Sequence, residues 1–445
     1  MNRHRITKNF RVISTILLIA MLPCVLAGCY DNREIDDMAY VIAIGLDKGK
    51  YNPLKITLQI ASPIQIEGGG GGGEGGESSG GSGGESPVIL TTFESPSIYS
   101  GINVVNTNIS RQIDVSHARA IVFSEELARE GIVKYIRALM RGNDFRGSMF
   151  VMVAKGSAED YLKNVKPTLE INPSKYFQML NQAYRYTGFS AETTLLHFYM
   201  AMECYCYQAV ATLASVNKFN SSDEIDIEDS TYKHKGRGYP LVGDYVAGNV
   251  PQVGDSKTQI MGLAVFDGDK MVGELDGEET SYYLMITNQY EHSYVTVPDP
   301  ENNEDFILLD VKQRRKSTKS VKFIDGKPHA SVKVDLEGDI LSIQSGINYE
   351  SPEKLSLLEK HVESFFEEGI LRFLKKTAEE LNSDICSFGE VVRTKFWNWN
   401  EWAEFKWLDK YKDTEFTVDV SFKVRRPGHL LRSNEPVSTE RSKTE

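Results

Sequence analysis

From residue 351 to about residue 381 the sequence carries one unbroken amphipathic pattern, and a helix of that length dictates what must lie beneath it. Ser351 stands at the N-cap position and Pro352 opens the first turn. Leu355, Leu358, Val362, Phe365, Phe366, Phe373 and Leu374 then fall on one side, with charged residues on the other. Such a helix is about 45 Å long at 1.5 Å per residue and needs a broad apolar surface to lie on. The run "EFTVDVSFKVRR" supplies one, because Phe416, Val418, Val420, Phe422 and Val424 all point the same way in an extended chain. Two more strands flank Asp325-Gly326-Lys327-Pro328, with Val332, Val334 and Leu336 on one face. A hairpin turned at Asp267-Gly268 precedes them, followed by a helix or a further strand. Strands and helices in separate runs are the mark of an α+β fold.

The N-terminal third has a different texture. Ile42, Ile44 and Leu46 alternate, then Ile56, Leu58 and Ile60 do the same around Asp47-Lys48-Gly49, which predicts a hairpin. Ser95 as N-cap and Pro96 at the first position open a helix whose apolar face is Ile98, Ile102, Val105 and Ile109. "SHARAIVFSEELAREGIVKYIRALMRG" reads as a strand near 118–123, then a helix from Ser124 that stops at Gly142. "SMFVMVAKGSAEDYL" repeats the strand-then-helix order. Between these elements, residues 68–84 hold twelve glycines in seventeen positions, a tract that cannot bury enough surface to offset its ordering entropy. Its G-x-S-x-G at 80–84 has neither the strand before nor the helix after that a nucleophile elbow requires.

Residues 174–217 look helical and aromatic, and Cys204 and Cys206 within them read as packing residues because no further Cys or His stands at ligand spacing. With Cys386 they make three thiols, which is no disulfide framework. The acidic run at 221–230 lacks the residue order of a calcium loop and reads as a solvated connector. His117, just before a strand, is suited to a structural hydrogen bond. There is no H-E-x-x-H, no C-x-x-C, no Walker loop and no G-x-G-x-x-G at a strand-helix junction. All four tryptophans lie in "KFWNWNEWAEFKW", residues 395–407. They could line a lipid headgroup belt or pack the C-terminal core. The interspersed acids and the lack of a marked basic excess favour packing.

The other end of the chain is built for export. Arg3, Arg5, Lys8 and Arg11 precede an apolar stretch at 12–26 that is short for a membrane span, and Leu26-Ala27-Gly28-Cys29 is the lipobox of bacterial lipoproteins. Cys29 is the expected lipid attachment site, and Cys24 a bystander in the apolar region. Removing residues 1–28 strips four basic and no acidic residues, taking the formal net charge from −12 to −16. So acidic a chain should not coat nucleic acid or cling electrostatically to anionic lipid. At 445 residues two or three domains are expected.

The lipobox followed by "CYDNREIDDMAYVIAIGLDKG" resembles the start of the C subunits of bacterial spore germinant receptors, the Ger(x)C lipoproteins. "SHARAIVFSEELAREGI", "FVMVAKGSAEDYL", "GLAVFDGDKMVGELDGEET" and "DICSFGEVVRTKF" are similar to later stretches of the same family, in family order. The resemblance implies a three-domain α+β lipoprotein of mixed sheets and helices, with a long C-terminal helix packed on a sheet. With it the chain divides into a signal peptide at 1–28, domains at 29–190, 191–295 and 296–428, and a tail at 429–445. It further implies no catalysis, no cofactor and no metal. The place implied is the outer face of the inner spore membrane. The implied partners are two integral-membrane receptor subunits, one transporter-like and a second multi-span one with large soluble domains. The rival is an extracytoplasmic solute-binding lipoprotein, a class that normally repeats strand-helix alternation in two lobes; here alternation is confined to the first third.

Overall fold

The computed structural model describes residues 13–17, 19, 21, 35–62, 88–167, 169–170, 172–219, 241–302 and 304–426. Cys24, Cys29, the glycine tract, the acidic run and the tail beyond 426 lie outside the described residues. No helix among the described residues is long and apolar enough to cross a membrane.

Two mixed sheets organise the chain. β1 (Met38–Lys48) and β2 (Leu54–Ala61) form the expected hairpin, and β3 (Val88–Ser95) adds antiparallel to β2. Ala61 and Val88 are direct partners across β2 and β3, so the ends joined by residues 62–87 already stand side by side. Shortening residues 68–84 to a few glycines is therefore expected to leave the melting temperature and germination near wild type, because loop closure changes by under about 1 kcal/mol. A melting temperature ten degrees lower, or lost germination at normal protein level, would assign the tract a specific role.

α1 (Ile98–Val105) starts two residues later than the sequence suggested. Ser95 is still paired to Leu54 as the last residue of β3, so Ser97 becomes the N-cap and accepts from Ser100 N at 3.2 Å. After β4 (Gln112–Asp114) and β5 (Ala120–Ser124), the single helix expected up to Gly142 is two: α2 (Glu125–Glu130) and α3 (Val133–Arg141). Gly131 breaks it with φ +121°, and Asp269 holds the break by accepting from Ile132 N (3.0 Å) and Val133 N (3.2 Å).

β6 (Phe150–Ala154), α4 (Ala158–Asn164), α5 (Pro173–Asn181), α6 (Tyr184–Thr187) and α7 (Leu195–Glu203) follow. The helical reading to residue 217 fails at β7 (Val210–Val216), a strand parallel to β6. Its core residues are buried on both faces, so its apolar run lacks the alternation that marks a strand. β8 (Thr258–Asp267) and β9 (Lys270–Leu275) complete a first sheet in the order β3-β2-β1-β5-β6-β7-β8-β9, with β4 beside β1. This sheet runs across the boundary drawn at residue 190.

α8 (Gly277–Thr287) is the helix rather than a further strand, and it is buried from Thr280 to Ile286 on every side. β10 (His292–Pro298), β11 (Phe306–Ile324) and β12 (Lys327–Ile343) form an antiparallel meander, within whose first strand the boundary at 295 falls. α9 (Pro352–Lys375) is the long helix, and its last turn widens to a π-turn over Lys376–Glu380. Ser351 holds the N-cap position, but its hydroxyl bonds Asn348 O and makes no side-chain cap. α10 (Phe388–Arg393), α11 (Trp399–Phe405) and α12 (Trp407–Tyr411) lead to β13 (Glu415–Arg426), which pairs parallel to β12 at the edge of the second sheet.

The helix meets that edge through charged side chains as well as apolar ones. Glu359, Glu363 and Glu367, four apart on α9, accept from Val424 N, Phe422 N and Val420 N at 3.0, 3.0 and 3.1 Å. These outward amides of an edge strand would otherwise be unpaired. The architecture is α+β, with the long helix on the second sheet as expected.

Candidate functional site

The two sheets meet along a seam, and the seam is where the described residues concentrate buried polar chemistry. α8 lies in it, capped by Asp276, which accepts from Glu279 N while the Glu279 carboxylate accepts from Asp276 N. Lys376, in the π-turn, binds Glu279 at 2.7 Å and donates to Glu274 O at 3.0 Å, tying the end of α9 to β9.

Asp384 is the hub of the seam. It is fully buried, and Phe388 N (3.1 Å), Gly389 N (2.8 Å) and Trp407 Nε1 (2.8 Å) all donate to its carboxylate. Its backbone carbonyl accepts from Gln208 N at 2.8 Å, and the Gln208 side chain bridges to Asp267 and Gly268 at the β8–β9 turn. Ser383 Oγ donates to Phe266 O at 2.8 Å. Burial pushes the Asp384 carboxyl up to about 6 despite its three donors. A Cβ on Gly389 would come within 2.1 Å of Cys206 O, so only glycine lets α10 approach there.

Cys204 and Cys206 pack on the core as expected, but joined as a disulfide rather than as free thiols. The helix expected to contain them ends at Glu203, and the bonded pair carries the chain toward β7. Cys386 stays free and buried, and its thiol is pushed up by that burial. His117 packs edge-on against Tyr40 with centroids 5.0 Å apart and makes no hydrogen bond among the described residues. No group of three or more metal-capable side chains occurs among the described residues.

Beside the seam opens a cleft of about 330 Å³ lined by Tyr186, Phe189, Val242, Met285, Val295 and Phe365, among others. Two serine hydroxyls at its wall are engaged: Ser281 donates to Gly188 O (2.8 Å) and Ser293 pairs with the Tyr290 hydroxyl (2.6 Å). Its wall offers apolar contact.

The tryptophans divide. Trp402 and Trp407 are buried, the former between Phe396 and Phe405, the latter on Asp384 and Tyr411. Trp397 and Trp399 are exposed. Trp402→Ala is expected to cost roughly 3–5 kcal/mol, read as a lowered melting temperature of lipid-free protein without vesicles. A wild-type melt would remove Trp402 from the core.

Two family models cover most of the chain. The model described as "Spore germination protein N-terminal domain" matches residues 31–215, and "Spore germination B3/ GerAC like, C-terminal" matches residues 261–428. The chain belongs to the spore germinant receptor C-subunit family. Spore germination protein KC of Bacillus subtilis (strain 168) is 27% identical over 437 residues, covering 95% of this chain and 97% of that one. Spore germination protein B3 of the same organism is 20% identical over 407 residues, covering 90% and 94%. A solved structure titled "Crystal Structure of the GerBC protein" aligns with 16% identity and a TM-score of 0.48, covering 89% of this chain and all of that one. Membership in this family makes the chain a membrane-associated spore protein. Three of the family-like blocks meet at or beside the seam. "GLAVFDGDKMVGELDGEET" supplies the β8–β9 turn and the α8 cap, and "DICSFGEVVRTKF" supplies Asp384 and its two amide donors. "SHARAIVFSEELAREGI" ends on Ile132, which Asp269 holds.

Proposed function

We propose that this protein is the lipid-anchored, non-catalytic C subunit of a nutrient germinant receptor, held at the outer face of the inner spore membrane. It assembles there with two integral-membrane subunits, one transporter-like and one multi-span with large soluble domains, and germination needs it for that assembly. The observation that carries the reading is the family match on both sides of the seam, whose first residue, 31, lies two positions after Cys29. Acylation of Cys29 would then leave the folded family domain on a tether of a few residues. A buried polar hub that locks the two sheets together suits a part whose work is to be held and to hold.

The test is capture of the C-terminally tagged protein from detergent-extracted spore membranes, with mass spectrometry of what comes with it. Two multi-span proteins in stable amounts are expected. Recovery with a permease and an ATPase instead would favour the solute-binding rival, and recovery alone would sink the assembly claim.

A further inference from the structure

The exposed aromatic surface around Trp397 and Trp399 remains without a role in the seam. Trp397 is 96% exposed and Trp399 51%, values that a packed core cannot explain. The tip of the β11–β12 hairpin stands beside them: Phe323 meets Phe405 edge-on at 5.5 Å, and Ile324 next to it is half exposed. Tyr205 meets the Trp399 ring at 5.7 Å.

Three aromatics of this surface carry a cation. Arg393 lies over Trp399 at 5.4 Å, Lys395 over Phe323 at 5.4 Å and Lys410 over Phe405 at 5.3 Å. Residues 322–327 and 390–412 together hold seven basic and five acidic side chains, on a chain whose formal net charge is −12. Glu401 and Glu404 fall on other faces of α11 than the one bearing Trp399, Trp402 and Phe405. Exposed indoles with basic neighbours match the headgroup region of a bilayer, where amphipathic rings are favoured and anionic phosphates meet the cations.

The surface and the strand that follows the anchor belong to one connected body through the first sheet. β1, β5, β6 and β7 are parallel, with Ala43 beside Ala120, Ala120 beside Phe150, and Met152 beside Thr212. The chain enters β1 at Met38, at the end of the sheet where β7 also begins, and Tyr205 lies five residues before Val210. Eight residues lie between Cys29 and Met38, a stretch that reaches at most about 30 Å. A tethered surface need bind only weakly, because the tether sets a high effective concentration.

We propose that Trp397, Trp399 and the Phe323-Ile324 hairpin tip form a second, non-covalent contact with the phospholipid headgroup layer, which orients the protein on the membrane that its acylated Cys29 reaches. This rests on the anchor proposed above, and the experiment separates the two. The full-length acylated protein is reconstituted on vesicles of phosphatidylcholine and phosphatidylglycerol, with and without brominated acyl chains. All four tryptophans lie within residues 397–407 and two of them are buried, so the bromine-sensitive emission reports Trp397 and Trp399. Brominated lipid is expected to remove a large part of the emission. The Trp397→Phe/Trp399→Phe variant should lose that part while melting like wild type and still sedimenting with vesicles.

Protein that sediments with the vesicles but whose emission ignores brominated lipid overturns the headgroup contact and leaves the surface for a protein partner. Protein that fails to sediment at all overturns the anchor, and the contact with it.

Discussion

Asp384→Ala is expected to abolish cooperative folding of the seam, the largest stability loss foreseen for any single substitution here. Alanine leaves Phe388 N, Gly389 N and Trp407 Nε1 buried without an acceptor. Each orphaned donor costs about 1–3 kcal/mol, and their sum rivals the 5–15 kcal/mol that typically holds a domain. Asp384→Asn keeps the shape and one acceptor oxygen, so it should fold with an intermediate loss. It also tests the titration. The folded carboxyl titrates near 6, above its ordinary value of 3.8, so the native state holds the extra proton between those two pH values. Its contribution to stability is therefore complete below about pH 4 and is lost as the pH rises through 6, by roughly 3 kcal/mol. Other groups, such as Glu159, held down to about 2 by its bonds to Lys163 and Lys55, change stability in the opposite sense at lower pH. Comparing wild type with Asp384→Asn by denaturant unfolding cancels them: the gap should be wider at pH 4.5 than at pH 7.5. An equal gap at both would show that Asp384 titrates normally.

Cys29→Ala should release the protein from the membrane fraction or leave it unprocessed, with loss of palmitate label. The sulfur is the only acyl acceptor at the lipobox, and alanine cannot form the thioether on which cleavage before residue 29 depends. The effect is large because each buried methylene contributes about 0.8 kcal/mol, so that one chain binds marginally and two make attachment firm. Cys24→Ala should label normally. Unchanged labelling of the Cys29 variant would place the anchor elsewhere.

What could be read from the sequence was local. The β1–β2 hairpin, the strand-helix pairs at β5 and β6, the turns at Asp267-Gly268 and Asp325-Gly326, and the long helix with its strand all carry their period in adjacent residues. The misses share a cause, which is a partner far along the chain. The helix break at Gly131 is held by Asp269, 138 residues on, and Ser95 is kept out of its helix by Leu54. β7 hid because burial on both faces erases alternation. Asp384 is one aspartate among many until the fold brings Trp407 and Gln208 to it. The family-like blocks pointed to the seam without giving the reason. Cys29, the one site residue named from sequence, lies outside the described residues.

The carboxylate row on α9 has a meaning for assembly. A strand at the rim of a sheet invites any extended segment to zip onto it, and receptor parts crowded on a membrane meet many such segments. With Glu359, Glu363 and Glu367 holding Val424, Phe422 and Val420, that invitation is withdrawn along the middle of β13. A partner meeting this edge would have to recognise it by the shape and charge of its side chains rather than by backbone alone. Recognition of that kind can differ from one receptor to the next while the fold beneath it stays the same.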